Sequence, residues 1–501
     1  MRKVVVILLI FCPWFLKAQI NNYWSYNFNE ESSLVAGAVV GGGAGASAIF
    51  YNPAIISEIN ASKLSLNASL FAYEINNAKN VLGENIDLQS TRFYPIPRSI
   101  SYMRKIPNRP NWNLEFSYLN VANSDLNALK YTEKEIDILT HLPGNENYIA
   151  YTELKTKVKT DYFGIGGSYK IGDNLYFGTS MFLSANSKYS VYQLDINASP
   201  KKTTIKDDGD ELPFYTASHT TNEMVKFNDY RLLWKFGLFY KKQRYSLGLN
   251  ITTPALGGLY SDGKKVMRKQ SQNNITNPVT GEPIQDHLIT DYAEKDEVTV
   301  AAKSPFSVAA GFTFYSTDNK RTLFTTVEYF AGLKSYRMVK AIEKESLGEG
   351  SILENEDFSE WLTYVDGAKP VLNAALGYKW LLKENLMLLS GFKTDFNHKM
   401  KNETSLLNPD KTIKSINVDY YHLTGGITLR IKGQDITAGI QYSLGLSNNG
   451  KQLVNLSDPV EFNFTELKAL QGTRTNTVKS VYNSFTLLMA ASFNLGVKKD
   501  K

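Results

Sequence analysis

The chain has 501 residues, 43% hydrophobic and 21% charged, with a formal net charge of +6 and a mean hydropathy of −0.27. Cations and anions are spread evenly, with no basic block, so a nucleic-acid partner has no electrostatic support. Length allows two or three water-soluble domains or one large barrel. Past the N-terminus no stretch approaches the roughly 18 apolar residues of a helical membrane span. The 30 Tyr and 26 Phe are unusually many, as aromatic girdles at two lipid interfaces require.

Chain order begins with an export signal. Arg2 and Lys3 form a short positive region, Val4 to Leu16 an apolar run, and Ala18-Gln19 a plausible cleavage point. This is the layout of a secretory signal peptide over residues 1–18. The run is about 13 residues, short of the roughly 20 that a spanning helix needs. A lipoprotein with Cys12 as its lipidated residue would want a small neighbour before it, and Phe11 is bulky. Removal of the signal takes away the single Cys, leaving a mature chain without disulfide or thiol chemistry.

Residues 19–62 do not alternate. Leu34 to Ala46 is an apolar, glycine-rich run, and Phe50, Asn52, Pro53 and Ala54 follow. A phosphate-binding loop is excluded because no Lys follows the glycines. A dinucleotide-binding fold is excluded because Pro53 interrupts the helix it needs and no βαβ unit follows. A compact small-residue segment that can pack inside a lumen fits better.

From residue 63 onward the signal is period two. Trp234, Phe236, Leu238 and Tyr240 alternate with Lys235, Gly237 and Phe239. Tyr245, Leu247, Leu249 and Ile251 alternate with Ser246, Gly248, Asn250 and Thr252. Successive strand side chains point to opposite faces, so each such segment has one apolar and one small or polar face. About fourteen segments of this kind occur, near 63–74, 98–106, 112–121, 160–171, 174–188, 227–241, 244–253, 304–316, 321–332, 370–382, 385–396, 417–432, 434–446 and 480–497. Short turns alternate with long loops at 75–97, 122–159, 189–226, 254–303, 333–369, 397–416 and 447–479. An even strand number with turns on one side and loops on the other marks a transmembrane antiparallel β-barrel. A soluble all-β protein also alternates, but its strands typically run only about 5–6 residues. Lipid cannot satisfy backbone polar groups, so strands that span it must close into a ring.

The N-terminal pattern resembles the FadL/TodX family of outer-membrane transporters for long-chain fatty acids and aromatic hydrocarbons. The matching residues are Gly41, Gly42, Gly43, Gly45, Phe50, Asn52, Pro53 and Ala54, just ahead of the first strand. The resemblance implies a barrel of fourteen strands over 63–501 and an N-terminal hatch over 19–62 that plugs the lumen. It further implies passive uptake of hydrophobic small molecules, with exit often sideways into the membrane. Outer-membrane lipid and a hydrophobic ligand are the partners implied, the chain being monomeric in the outer membrane of a Gram-negative bacterium. The family's terminal aromatic residue is missing; Phe493 is the nearest one. Two other readings stay open: a related scaffold or shuttle in a protein secretion system, and a general porin.

Chemistry finds little support. His141, His219, His287 and His398 sit in or at the edge of expected loops without metal spacing. His422 lies on a strand, but Leu423-Thr424-Gly425-Gly426 follows rather than the residues of a barrel phospholipase. The acidic run Asp207-Asp208-Gly209-Asp210-Glu211 lacks the spacing of a calcium loop. No enzyme activity, metal or cofactor is expected. Arg104, Lys235, Lys379, Lys393 and Arg430 should face the lumen or the rim, because charge facing lipid is costly. Lys264, Lys265, Arg268, Lys269, Asp286, Asp291, Glu294, Lys295 and Asp296 should form a solvated loop. A transporter needs an apolar lumen pocket, for which Phe236 and Tyr378 are candidates if they point inward.

Overall fold

The computed structural model describes residues 22–495, apart from 59–60, 107, 110, 202–204, 208–209, 213–214, 278, 285–290, 341–360 and 401–410. The expected signal peptide, Cys12, Asp286, His287 and part of the acidic run lie outside these residues, and the side chains of 207–211 are likewise not described.

All fourteen alternating segments are strands. They are β1 (Lys63–Lys79), β2 (Leu88–Lys105), β3 (Trp112–Ile136), β4 (Glu146–Lys170), β5 (Leu175–Pro200), β6 (Ala217–Lys241) and β7 (Tyr245–Thr252), then β8 (Ser307–Tyr315), β9 (Arg321–Phe330), β10 (Val371–Lys383), β11 (Leu386–Asp395), β12 (Asp419–Ile431), β13 (Gln434–Gly450) and β14 (Val478–Asn494). Each pairs antiparallel with its chain neighbour, and β14 returns to β1 from Lys63↔Asn494 to Lys79↔Lys479, closing a fourteen-stranded ring. Closure gives every strand of the ring a partner on both sides over at least part of its length.

The ring is inverted relative to a water-soluble protein. On β14, Phe485 is exposed while Ser484 and Thr486 are buried. The same holds for Phe116 between Glu115 and Ser117 on β3, and for Ile427 beside Thr428 on β12. Outward-facing aromatics collect toward the short-turn rim, where Trp112 packs on Tyr169 at 5.0 Å and Tyr240 lies 6.4 Å from Tyr245. A second group lies farther up the wall, where Phe71 stacks on Phe93 at 5.7 Å and Tyr442 lies 4.8 Å from Phe485. A continuous apolar exterior over a polar lumen is stable in lipid and not in water.

Several expected loops are strand instead. β3 and β4 have 25 residues each, and they stay paired up to Ile136↔Glu146. β5 has 26 and β6 has 25, paired up to Ala198↔Ala217. About 9–11 tilted residues cross a bilayer, so more than half of each strand stands beyond it. On these extensions the outward face is no longer uniformly apolar, as at Glu153 and Lys155, while the inward face enters a core, as at Tyr148, Ala150 and Leu154. The missing apolar face is why period two with a lipid side ends earlier than the strand. β7 is only 8 residues long, and above it the upper part of β6 pairs instead with a strand from the following loop, Leu256–Asn273. That loop is not simply solvated: Asp291–Asp296 pairs with it, Lys265 forms an ion pair with Glu294, and Arg268 Nε donates to the Tyr364 hydroxyl at 3.1 Å.

Two apolar cores are the largest among the described residues. One joins residues 28–56 to the inner wall through Leu34, Val35, Ile49, Phe182, Phe239 and Phe324. The other lies at the long-loop end, where Leu82, Leu139, Tyr148, Leu154, Leu456 and Leu470 pack together as a cap.

Candidate functional site

The site is built from residues 22–58 against the inner wall. Asn29 begins the helix Glu30–Leu34 (α1): it takes a left-handed backbone at φ 84 and accepts the Ser32 N–H at 2.8 Å. Ala48–Tyr51 (α2) runs into a 3-10 turn, Pro53–Glu58. Proline at a helical start costs no hydrogen bond, because its missing N–H would have had no partner there.

This segment touches all fourteen strands. The Ser65 hydroxyl of β1 donates to Glu30 at 2.9 Å, and the Arg98 guanidinium of β2 covers the Tyr26 ring at 3.4 Å. Glu115 of β3 accepts the Ile49 N–H at 3.1 Å, Ser168 of β4 bonds Ser57, and Ser180 of β5 donates to Ile49 O. Lys241 of β6 pairs with Glu58, Ser246 of β7 donates to Gly41 O, and Gly311 of β8 faces Gly41. Thr326 of β9 accepts Val40 N–H, Lys379 of β10 pairs with Glu31 at 2.6 Å, and Lys393 of β11 donates to Asn27 at 2.9 Å. Thr424 of β12 donates to Leu34 O, while Gly439 of β13 and Leu488 of β14 pack near Leu34. A segment that reaches every wall lies inside the ring.

The glycines explain how it fits. Gly178, Gly237, Gly248, Gly311, Gly377, Gly391, Gly426 and Gly439 form a lumen-facing belt across eight strands. Several are cross-strand partners: Gly178↔Gly237, Gly248↔Gly311, Gly377↔Gly391 and Gly426↔Gly439. A methyl group on Gly377 would lie 2.6 Å from Val35 Cβ. The belt lets the wall accept the plug's backbone rather than its side chains.

Each residue of the N-terminal motif falls on this seam. Gly41 lies so close to β8 that a Cβ would be 2.6 Å from Gly311 C. Gly42, Gly43 and Gly45 have positive φ, so they shape the turn into α2. Phe50 packs edge-on against Phe28 at 4.9 Å and beneath the Lys235 ammonium at 4.3 Å. Asn52 Nδ2 donates to Val40 O and to Leu238 O, both at 3.0 Å, while its Oδ1 accepts Ala54 N–H at 3.1 Å. One side chain thus ties two plug segments to β6. Pro53 and Ala54 lie on Gly178 and Gly237.

The N-terminal end is held separately. Asp395 accepts the N–H of Tyr23 at 3.1 Å and of Trp24 at 2.9 Å, and Trp24 Nε1 donates to Glu328 at 2.6 Å. Tyr23 stacks between Phe330 and His398, at 4.1 and 4.2 Å. Burial pushes the His398 imidazole down to about 3, which keeps this stack neutral.

Between plug and cap lies a cavity of about 110 Å³, floored by Asn22, Ser25 and Tyr26 and roofed by Leu126 and Ile416. Arg92, Arg98, Tyr420 and Tyr482 form part of its wall. Beside it the ring is incompletely paired: β2 and β3 are bonded only from Lys105↔Asn113 to Ser99↔Leu119. Pro95 and Pro97 follow on β2, and proline has no N–H to continue a ladder.

The lysines expected inside are inside: Lys235 and Lys393 are buried in the lumen and Lys379 meets the plug. Arg430 pairs with Asp435 at the short-turn rim at 2.7 Å, and Arg104 is exposed near the same rim. Phe236 and Tyr378 are a correction: at 41% and 36% exposed they face outward. On β6 and β10 they share the apolar lipid face, and Lys235 and Lys379 take the inward positions. His422 is a buried lumen residue that bonds Ser443 at 2.7 Å. His219 lies on a strand rather than in a loop, held by Gln272 and Thr221. His141 faces Glu461 at 3.5 Å. The glycine belt and the arginines of the cavity were not singled out from sequence; the lumen-facing mid-strand glycines were the available signal for the first.

Comparison with known proteins places this geometry. No family model matches the sequence, and no curated protein does. The fold matches a crystal structure of a Pseudomonas aeruginosa FadL homologue with a TM-score of 0.55, over 96% of this chain and 100% of that one, at 11% identity. It matches the P. putida toluene transporter TodX with a TM-score of 0.52, over 94% and 99%, at 11% identity. A TodX deltaS2 mutant gives 0.54 over 94% and 99%, at 12% identity. The chain therefore has a FadL/TodX-like barrel fold.

Proposed function

Taking that fold as its frame, we propose that this chain is an outer-membrane channel for passive uptake of hydrophobic small molecules, with residues 19–62 as its hatch. The supporting observation is the arrangement of the lumen: a segment seated on all fourteen strands, with a cavity directly against it. A general porin needs an open, charged constriction, and this lumen carries a packed segment instead. The unpaired stretch of wall above Ser99 lies beside the cavity, which favours sideways release into the membrane. Residues 1–18 act as the export signal in this reading, and the chain works as a monomer without a cofactor.

Deleting residues 41–54 tests the hatch. The ring closes through β1–β14 pairing that does not involve these residues, so the barrel should still fold, as read by heat-shifted migration on a gel. Single-channel conductance in a planar bilayer should rise well above that of the intact chain. A folded deletion with unchanged conductance rules out the hatch.

A further inference from the structure

The cavity between plug and cap is lined by both apolar and polar groups. Among its lining groups, Arg92 and Arg98 on β2 stand out by how they are held. The Arg98 guanidinium lies flat over the Tyr26 ring at 3.4 Å, and that of Arg92 lies over the Tyr94 ring at 3.2 Å. Arg98 is 4% exposed. Its Nε donates to Ser69 Oγ at 2.7 Å, and Arg92 Nη2 donates to Asn123 Oδ1 at 3.0 Å. In both residues Nη1 is buried and has no hydrogen-bond partner. Among the described residues neither forms an ion pair with a carboxylate.

Leaving such a group unsatisfied is costly, more so for a charged one. A guanidinium stacks through its face and donates through its edge. Tyrosine already covers one face of each arginine here, so what remains is an in-plane N–H edge, the geometry that suits a carboxylate. The cavity's own carboxylates are engaged elsewhere: Asp125 pairs with Lys157 at 3.2 Å, and Glu74 accepts the Tyr94 hydroxyl. Along the same side of the ring, on β14 and β12, Tyr482 and Tyr420 meet edge to face at 5.0 Å. Rings of that kind pack well against another aromatic ring. A volume of about 110 Å³ holds roughly seven to ten water-sized groups. That suits a one-ring acid better than a long acyl chain.

We propose that this cavity is a binding subsite for single-ring aromatic carboxylates. The carboxylate meets the free edges of Arg98 and Arg92, and the ring lies against Tyr420 and Tyr482. The subsite rests on the uptake reading for its role in transport, and on the cavity alone for binding.

The test uses the full-length protein in detergent, with benzoate and its neutral counterpart benzamide as calorimetric probes. Benzoate should bind at least about tenfold more tightly, as expected for a charge-assisted contact at a buried site. Arg98→Gln should abolish that preference, and Arg98→Lys, which keeps the charge but not the planar edge, should weaken it. Equal binding of the two probes overturns the proposal, as does a folded Arg98→Gln protein that keeps the preference. Displacement of benzoate by laurate at lower concentration overturns the size limit. If neither variant folds, the benzoate-to-benzamide ratio of the unmodified protein decides alone. Toluene flux into proteoliposomes separates the two readings. Flux with equal probe binding removes the subsite and leaves the channel, whereas a benzoate preference without flux leaves the subsite and removes the channel.

Discussion

The plug seam and the cap close opposite ends of the same lumen by opposite means. At the seam, wall glycines admit the plug's backbone, and hydrogen bonds and ion pairs pin it: Asn52 to β6, Lys379 to Glu31, Asp395 to the Tyr23 and Trp24 amides. In the cap, bulky side chains from β3–β5 interlock with loop residues such as Leu82, Leu139, Leu456 and Leu470. The difference teaches which perturbation each can bear. A seam of backbone contacts fails when atoms are added, and a side-chain core fails when atoms are removed.

Three substitutions test that contrast. Leu82→Ala should be the most damaging to its own region. Leu82 is fully buried in the cap, and truncating such a residue costs about 2–5 kcal/mol. Limited proteolysis should then cut the loops between β1 and β2 and after β13, while conductance stays at the level of the parent. Cleavage unchanged from the parent would mean the cap is not a cooperative core. Gly311→Val comes next. Its added atoms meet the Gly41 backbone, and overpacking of this kind costs about 1–3 kcal/mol. Here conductance should rise and loop proteolysis should not. A closed channel in a folded Gly311→Val protein would show that the seam can yield.

The smallest effect is pH-dependent. Burial pushes the Glu30 carboxyl above the usual carboxylate range, with Ser65 and Lys63 opposing and Asp435 adding to the shift. A raised folded value means the seated plug holds this proton more tightly than the released one. Its contribution is therefore complete below about pH 4.3, the ordinary glutamate value, and is lost as pH climbs through the raised value. The frequency of plug-open events in single-channel records should increase over that window. Glu30→Gln should flatten the profile; an unaltered profile would assign the pH response to another group.

Much of the architecture was legible in the chain itself. A strand in lipid must show one apolar face, so every barrel strand betrayed its membrane portion, as at Tyr421, Leu423 and Ile427 or Phe485, Leu487 and Met489. The glycine-to-Asn-Pro-Ala run was equally plain as a pattern. The tall extensions of β3–β6 were not, because their outward face no longer meets lipid and their inward face packs only against distant cap residues. Facing was legible where a lysine shared the strand: Lys235 takes the lumen and so sends Phe236 out.

Local alternation thus determined the number of barrel strands, their order and the short turns, since each is a property of neighbouring residues. Only the closed ring decided the rest. It brought Gly41 onto Gly311 and Asn52 onto Leu238, and it folded loops more than 300 residues apart in sequence into one cap, as where the Tyr148 hydroxyl donates to Leu470 O. It also placed Arg98 over Tyr26 of the plug, leaving an edge of its guanidinium unpaired. Such contacts depend on where distant strands meet around the ring, and no local period encodes that.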